Sequence, residues 1–244
     1  MAEVLLEVCV DGARGLAAAL DGGADRVELC SALSLGGLTP PPGLISLAAA
    51  ATVPVHVLIR PHAGGFHYDD ADMAAMLGDI LAVRAAGLDG VVIGAAMPDG
   101  RLERVALAEM VAAAGPMAVT LHRVFDLAPD WREALEDAVD LGIGRILTSG
   151  GAATALAGAD RLAEIHTAAA GRIGILVCGG VSDQTIGTLM SAMPLREVHA
   201  SCSVQEVAAD TLVAFGFSPG QTPATSSPKV RALKSALGAH STLV

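Results

Sequence analysis

The chain has 244 residues, 52% hydrophobic content, 2% aromatic residues and a formal net charge of −11. That length suits one large domain. The acidity, with no basic stripe and no aromatic stacking set, excludes nucleic acid and an anionic membrane surface as expected partners. The longest apolar stretch, 44–59, is interrupted by Ser46, Thr52, Pro54 and His56 and falls short of the roughly 18 residues a membrane span needs. The opening "MAEVLLEVCVDG" places Glu3, Glu7 and Asp11 where a signal peptide carries basic residues, so a cytoplasmic protein with reduced thiols is expected.

In chain order the pattern predicts a strand over 4–8, a helix over 13–21, a strand over 26–29 and a helix over 43–51. Next come a strand over 55–59, a helix over 70–86, a strand over 90–93, a helix over 102–114 and a strand over 118–122. The second half continues with a helix over 130–141, strand 145–148, helix 159–170, strand 173–177, helix 183–193 and strand 197–200. Residues 202–227, containing "GFSPGQTPATSSP", read as a long surface loop, and a last helix is expected over 228–237. The steps "GGADRVEL", "AAGLDGVVIG" and "DLGIGRILTSG" share one form, helix end, glycine, strand, which fits a left-handed helix cap. Eight strand–helix units predict an α/β fold, a (β/α)8 barrel, as a single domain over 1–244 with its core over 4–201. An open doubly wound sheet is the alternative, but the first strand runs into "CVDGARG" and carries no GxGxxG.

Side chains alternate along a barrel strand between the helix layer and the interior. With Leu6, Val8, Val27, Leu29, Val55, Val57 and Ile59 facing the helices, Glu7, Cys9, Arg26, Glu28, Cys30, His56, Leu58 and Arg60 face the interior. The same alternation sends Thr120, His122, Glu197, His199 and Ser201 inside. Buried charges persist when paired, so these groups form either a polar plug or a reactive site. Glu28, Cys30, Arg60, His122 and His199 stand at C-terminal strand ends, where barrels place their active sites.

Two chemistries fit that set. Cys9 and Cys30 end adjacent strands, expected at matching heights, and two thiolates suit Cu(I); the alternative is that both are small buried hydrophobes. Zinc fits less well, because its remaining ligands would come from His122, Glu7 or Glu28 with no spacing signal. The other chemistry is proton transfer on a small phosphorylated or carboxylated metabolite, with Glu28 or Glu7 as base, His122 or His199 supplying the acid or steadying an enolate, and Arg60 gripping the anion. The loops "TSGGAAT" (148–154) and "CGGVSD" (178–183), expected to open helical turns at Ala153 and Ser182, would then offer N–H groups at Gly150, Gly179 and Gly180, with Ser201 beside them. These glycines equally serve tight turns.

The runs "LEVCVD", "GGADRVELCSALSLGGLTP", "VPVHVLIRP", "DGVVIGAAMPDG", "HRVFD", "RILTSGGAAT" and "EVHAS" lie in colinear order over 4–201. Through them the chain resembles the CutC copper homeostasis family. The resemblance implies a cytoplasmic (β/α)8 protein, a homodimer or larger homo-oligomer, that handles copper and binds Cu(I) through Cys9 and Cys30. Two places depart from the family pattern. His62, Ala63, Gly64 and Gly65 stand where arginine, two glycines and aspartate are usual, and Cys178, Gly179 and Gly180 where three glycines are usual. The second change adds a third thiol, Cys178, near the mouth.

Overall fold

A computed structural model describes residues 3–241. Strands β1 (Leu5–Val10), β2 (Arg26–Leu29), β3 (Val55–Leu58), β4 (Gly90–Ile93), β5 (Ala118–Leu121), β6 (Arg145–Thr148), β7 (Gly174–Val177) and β8 (Glu197–Ala200) pair in sequence order, and β8 returns to β1. The result is one closed parallel barrel, as expected, with strand ends within two residues of their predicted places. Helices α1 (Ala13–Gly22), α2 (Pro42–Ala48), α3 (Asp70–Ala85), α4 (Arg104–Ala114), α5 (Trp131–Asp140), α6 (Ala159–Ala169) and α7 (Ile186–Ala192) surround it. Beyond β8 lie β9 (Ser203–Val207), α8 (Asp210–Ala214), β10 (Gln221–Thr225) and α9 (Ser227–Ser241). No helix among the described residues is long and apolar enough to cross a membrane.

The alternation read from the sequence is what closes the barrel. Leu6, Val8, Val10, Val27, Leu29, Val55, Val57, Val91 and Ile93 join one continuous apolar layer beneath the helices. Each fully buried side chain of this kind contributes about 1.5–3 kcal/mol. The recurring glycine works as expected. Gly23 ends α1 at φ 87°, and its N–H donates to the Leu20 carbonyl. Asp25 then accepts from the Leu6 N–H at 2.7 Å, and Asp89, after Gly87, accepts from the Val55 N–H at 2.8 Å. Each aspartate ties the start of its own strand to the strand before it.

Two expectations are corrected. Residues 202–227 are not a plain loop: β9 and β10 form an antiparallel pair with α8 between them. Pro223 sits within β10, where it is tolerated because a two-stranded sheet has only edges. Nor do helices open at Ala153 and Ser182; α6 and α7 begin at Ala159 and Ile186. Gly158 lies so close over the 149–150 turn that a Cβ there would sit 1.9 Å from the Ser149 carbonyl oxygen, which holds the chain in a turn before α6 can start. Finally α9 packs on α1 and α7. It comes near enough that a Cβ on Gly22 would meet the Val230 Cβ at 2.4 Å.

Candidate functional site

Strand register decides which interior side chains meet. Between β1 and β2, Glu7 pairs with Arg26 and Cys9 with Glu28; between β1 and β8, Glu7 pairs with His199. The lower layer is an ion network. Arg26 Nε donates to Glu7 Oε2, its Nη2 donates to Glu197 Oε2 at 2.7 Å, and Arg145 Nε stands 3.3 Å from the same oxygen. His199 Nδ1 meets Glu7 Oε1 at 2.7 Å. One step toward the mouth, ligand atoms of Cys9, Glu28 and His199 lie within 4.8 Å of one another, with His199 Nε2 3.8 Å from Glu28 Oε2.

Cys30 is not in that group of three. Because Cys9 pairs with Glu28, Cys30 stands two residues further along its strand, roughly 6.6 Å at 3.3 Å per residue. The expectation of matching heights for Cys9 and Cys30 is thereby corrected. Cys30 donates instead to Glu28 Oε2 at 3.4 Å and packs with Leu58 and Val92. Burial, followed by the Glu28 charge, pushes its thiol well up.

Electrostatics separate the two glutamates. Burial alone would raise Glu7, but the hydrogen bond and charge of His199, together with Arg26, hold its carboxyl down at about 2. Burial dominates at Glu28 and raises it, with the like charge of Glu7 adding to the effect. Burial would lower His199, yet the Cys9 and Glu28 charges and the hydrogen bonds to Cys9 and Glu7 lift it well above 6.5. Glu7 is therefore a fixed carboxylate, and His199 holds a proton that a bound cation could displace.

Arg60 and His122 belong to a different neighbourhood. Arg60 Nη1 donates to the carbonyls of Leu35 and Gly37 and Nη2 to that of Gly64, all at 2.9 Å. The expected anion grip is corrected: this fork staples two loops, and Phe66 lies against its face at 5.2 Å. His122 Nδ1 accepts from the Val124 N–H at 3.1 Å, so the neutral ring carries its proton on Nε2, which is buried without a hydrogen-bond partner among the described residues. Burial, followed by the Arg60 charge, lowers its pKa to about 3, so near neutrality it is a neutral Nε2–H donor and not an imidazolium acid. Gly94 leaves the space for this ring, since a Cβ there would lie 2.2 Å from His122 Cε1.

The glycine loops also divide. Gly150 N donates to Thr148 Oγ1, and the buried carboxylate of Asp126 accepts from Ser149 N, Gly151 N and both Thr148 and Ser149 hydroxyls. The anion in the first loop is thus the protein's own Asp126, and the expected role of Gly150 is corrected. Gly179, Gly180 and Ser201 border a cavity of about 260 Å³ together with Cys9, Cys178, His199 and Arg123. Arg123 and Asp126 were not singled out from the sequence. Their signal was "HRVFD", an arginine and an aspartate three apart at the C-terminal end of β5.

Fold and site define a (β/α)8-barrel protein with a sulfur, nitrogen and oxygen ligand group enclosed near its C-terminal mouth. The sequence profile of the CutC family matches residues 4–204, and the chain belongs to that family. It is 52% identical over 240 residues to a family protein CutC from Sinorhizobium medicae, covering 98% of each chain. It is 50% identical to one from Caulobacter vibrioides, covering 97% of this chain and 98% of that one. A solved CutC structure from Streptococcus agalactiae, assigned provisionally to copper homeostasis, superposes with a TM-score of 0.78 at 27% identity, covering 81% of this chain and 98% of that one.

Proposed function

We propose that this CutC-family protein binds a thiophilic metal ion as cargo, copper as Cu(I), through Cys9 and His199. The observation that supports this is the convergence of the Cys9, Glu28 and His199 ligand atoms within 4.8 Å. The donor chemistry fits: a thiolate and an imidazole both suit copper, whereas a carboxylate suits harder ions. Glu28, whose pKa burial raises, is the harder oxygen donor of the three and is the least suited to Cu(I). Glu7, fixed by Arg26, holds His199 by Nδ1–H and leaves Nε2 for the metal, the carboxylate–histidine–metal arrangement.

Anaerobic competition against a Cu(I) chelator tests the reading. Cys9→Ala and His199→Gln are expected to lose affinity by about 100-fold, and Glu28→Gln and Cys30→Ala by less than about tenfold. Affinity should rise with pH, since the metal competes with a proton for His199. Wild-type affinity in Cys9→Ala would remove the proposal.

A second reading, acid–base catalysis on a small metabolite, is favoured by one observation: two glutamates touching one histidine are driven in opposite directions, Glu7 down and Glu28 up. Such splitting assigns acid and base roles. Glu28 is then the acid, because both Glu7 oxygens are already engaged. Turnover of a metabolite that is abolished in Glu28→Gln while Cu(I) affinity persists would favour it.

A further inference from the structure

The cavity in front of Cys9 and His199 has a chemistry of its own. Its rim is built from three separate loops, with Arg123 from the segment after β5, Gly179 and Gly180 from the segment after β7, and Ser201 from the end of β8. Arg123 is fixed before any ligand arrives. Its Nε donates to Asp126 at 2.8 Å, and its Nη2 donates to the Ser149 hydroxyl at 2.6 Å and the Ala152 carbonyl at 3.2 Å. Its Nη1 has no partner among the described residues, and its side chain is 44% exposed. The charge of Asp126 does not reach into the cavity unopposed, because backbone N–H groups and hydroxyls of residues 148–151 also donate to it.

Gly179 and Gly180 adopt φ of 91° and 73°, a region that side chains rarely enter. Their N–H groups have no hydrogen-bond partner among the described residues, although the Gly179 and Gly180 carbonyls accept from Ala155 N and Thr185 Oγ1. A guanidinium with a free Nη1, two unengaged amides and the Ser201 hydroxyl, which meets only the Ser203 hydroxyl at 3.1 Å, border one small cavity, and such donors suit a carboxylate or phosphate group. At about 260 Å³ the cavity is below the ~300–1,000 Å³ of drug-sized ligand sites. A metabolite of a few carbons fits; a nucleotide does not.

We infer that this cavity is an oxyanion subsite, in which Arg123, Gly179, Gly180 and Ser201 hold the carboxylate or phosphate of a small metabolite against Cys9 and His199. The inference stands apart from metal binding. It names the class of molecule that reaches the enclosed group, whether as substrate or as a companion to the ion.

The test uses metal-free protein kept in chelator, so that its outcome is independent of copper affinity. Orthophosphate and acetate are titrated separately, with amide chemical shifts followed by NMR and the unfolding midpoint followed by heating. Saturable shifts centred on Gly179 and Gly180 are expected, with the stronger of the two anions naming the headgroup. Arg123→Gln should weaken that binding by about tenfold or more, whereas Arg132→Gln, on the outer surface beside Trp131, should not change it. If Arg123→Gln does not fold, the wild-type shift map still decides. Shifts absent for both anions, scattered over the surface, or unchanged in a folded Arg123→Gln would each overturn the inference.

Discussion

On the β8–β1–β2 side of the barrel interior, Arg26 and His199 face carboxylates; on the β3–β5 side, Arg60 and His122 face backbone groups and Phe66. The residue types match, an arginine and a histidine on each side. Their states do not. His199 is pushed up because the favourable charges around it outweigh burial, and His122 is driven to about 3 because burial, reinforced by the Arg60 charge, meets no carboxylate to oppose it. A titratable side chain in a barrel takes its role from the partner at its tip. Facing the same interior is not enough.

The largest expected effect tests the arginines. Arg26→Leu leaves Glu7 and Glu197 without their central cation and should cost about 3–5 kcal/mol in urea unfolding. Arg60→Leu strands only carbonyl groups and should cost about 1–3 kcal/mol. The reverse order would erase the contrast between the two sides.

Next comes pH. His122 and His56, the latter lowered to about 4 chiefly by burial, take up protons in the unfolded chain near 6.5 but resist them when folded. Stability from this pair is complete above 6.5 and falls as pH drops toward 4 and 3, by on the order of a few kcal/mol. Glu7 adds a loss below 4.5 that deepens toward about 2. His199 has the opposite sign: its contribution is complete below 6.5 and disappears as pH rises through its raised folded value. Unfolding free energies measured across pH should therefore show a shallower acid limb in His122→Phe, and an unchanged limb would contradict the assignment.

The smallest effect sharpens the same point locally. Phe66 covers the His122 ring at a centroid distance of 4.7 Å. Phe66→Ala lets water reach that ring and should raise its pKa by about one unit, some 1.4 kcal/mol, read from the imidazole resonances. His199 should not move in the same spectra.

Much of this was legible in advance. "LEVCVD", "DRVELC" and "VHVLIR" alternate so strictly that one register satisfies the apolar layer, which fixes Glu7, Glu28 and His56 as interior residues. Relative height was not legible, because it depends on the shear between strands; Cys9 therefore met Glu28 where Cys30 was expected. Arg60 was misread for another reason. Its partners are carbonyls of Leu35, Gly37 and Gly64, and carbonyls leave no mark in the residue code. Asp126 was missed because the loop it fills belongs to the next strand–helix unit, while glycines in that loop suggested an external anion. The β9–β10 pair was hidden by Pro223 and by the polar residues around it.

The seating of α9 on α1 bears on how the chain is made. Gly22 lies against Val230, and Ser227 and Arg231 reach Asp21 across more than 200 residues of sequence. Until that helix leaves the ribosome, α1 lacks the cover of α9, and β8, emerging only shortly before, leaves one edge of β1 unpaired for nearly as long. At 5–20 residues per second, the wait from the first strand to Val230 is roughly ten to fifty seconds. Until β8 arrives the nascent barrel is an open sheet with a bare β1 edge, an arrangement prone to pairing with a neighbour. Closing the barrel therefore waits on nearly the whole chain, since the strand that seals the first edge is the last of the eight to be made.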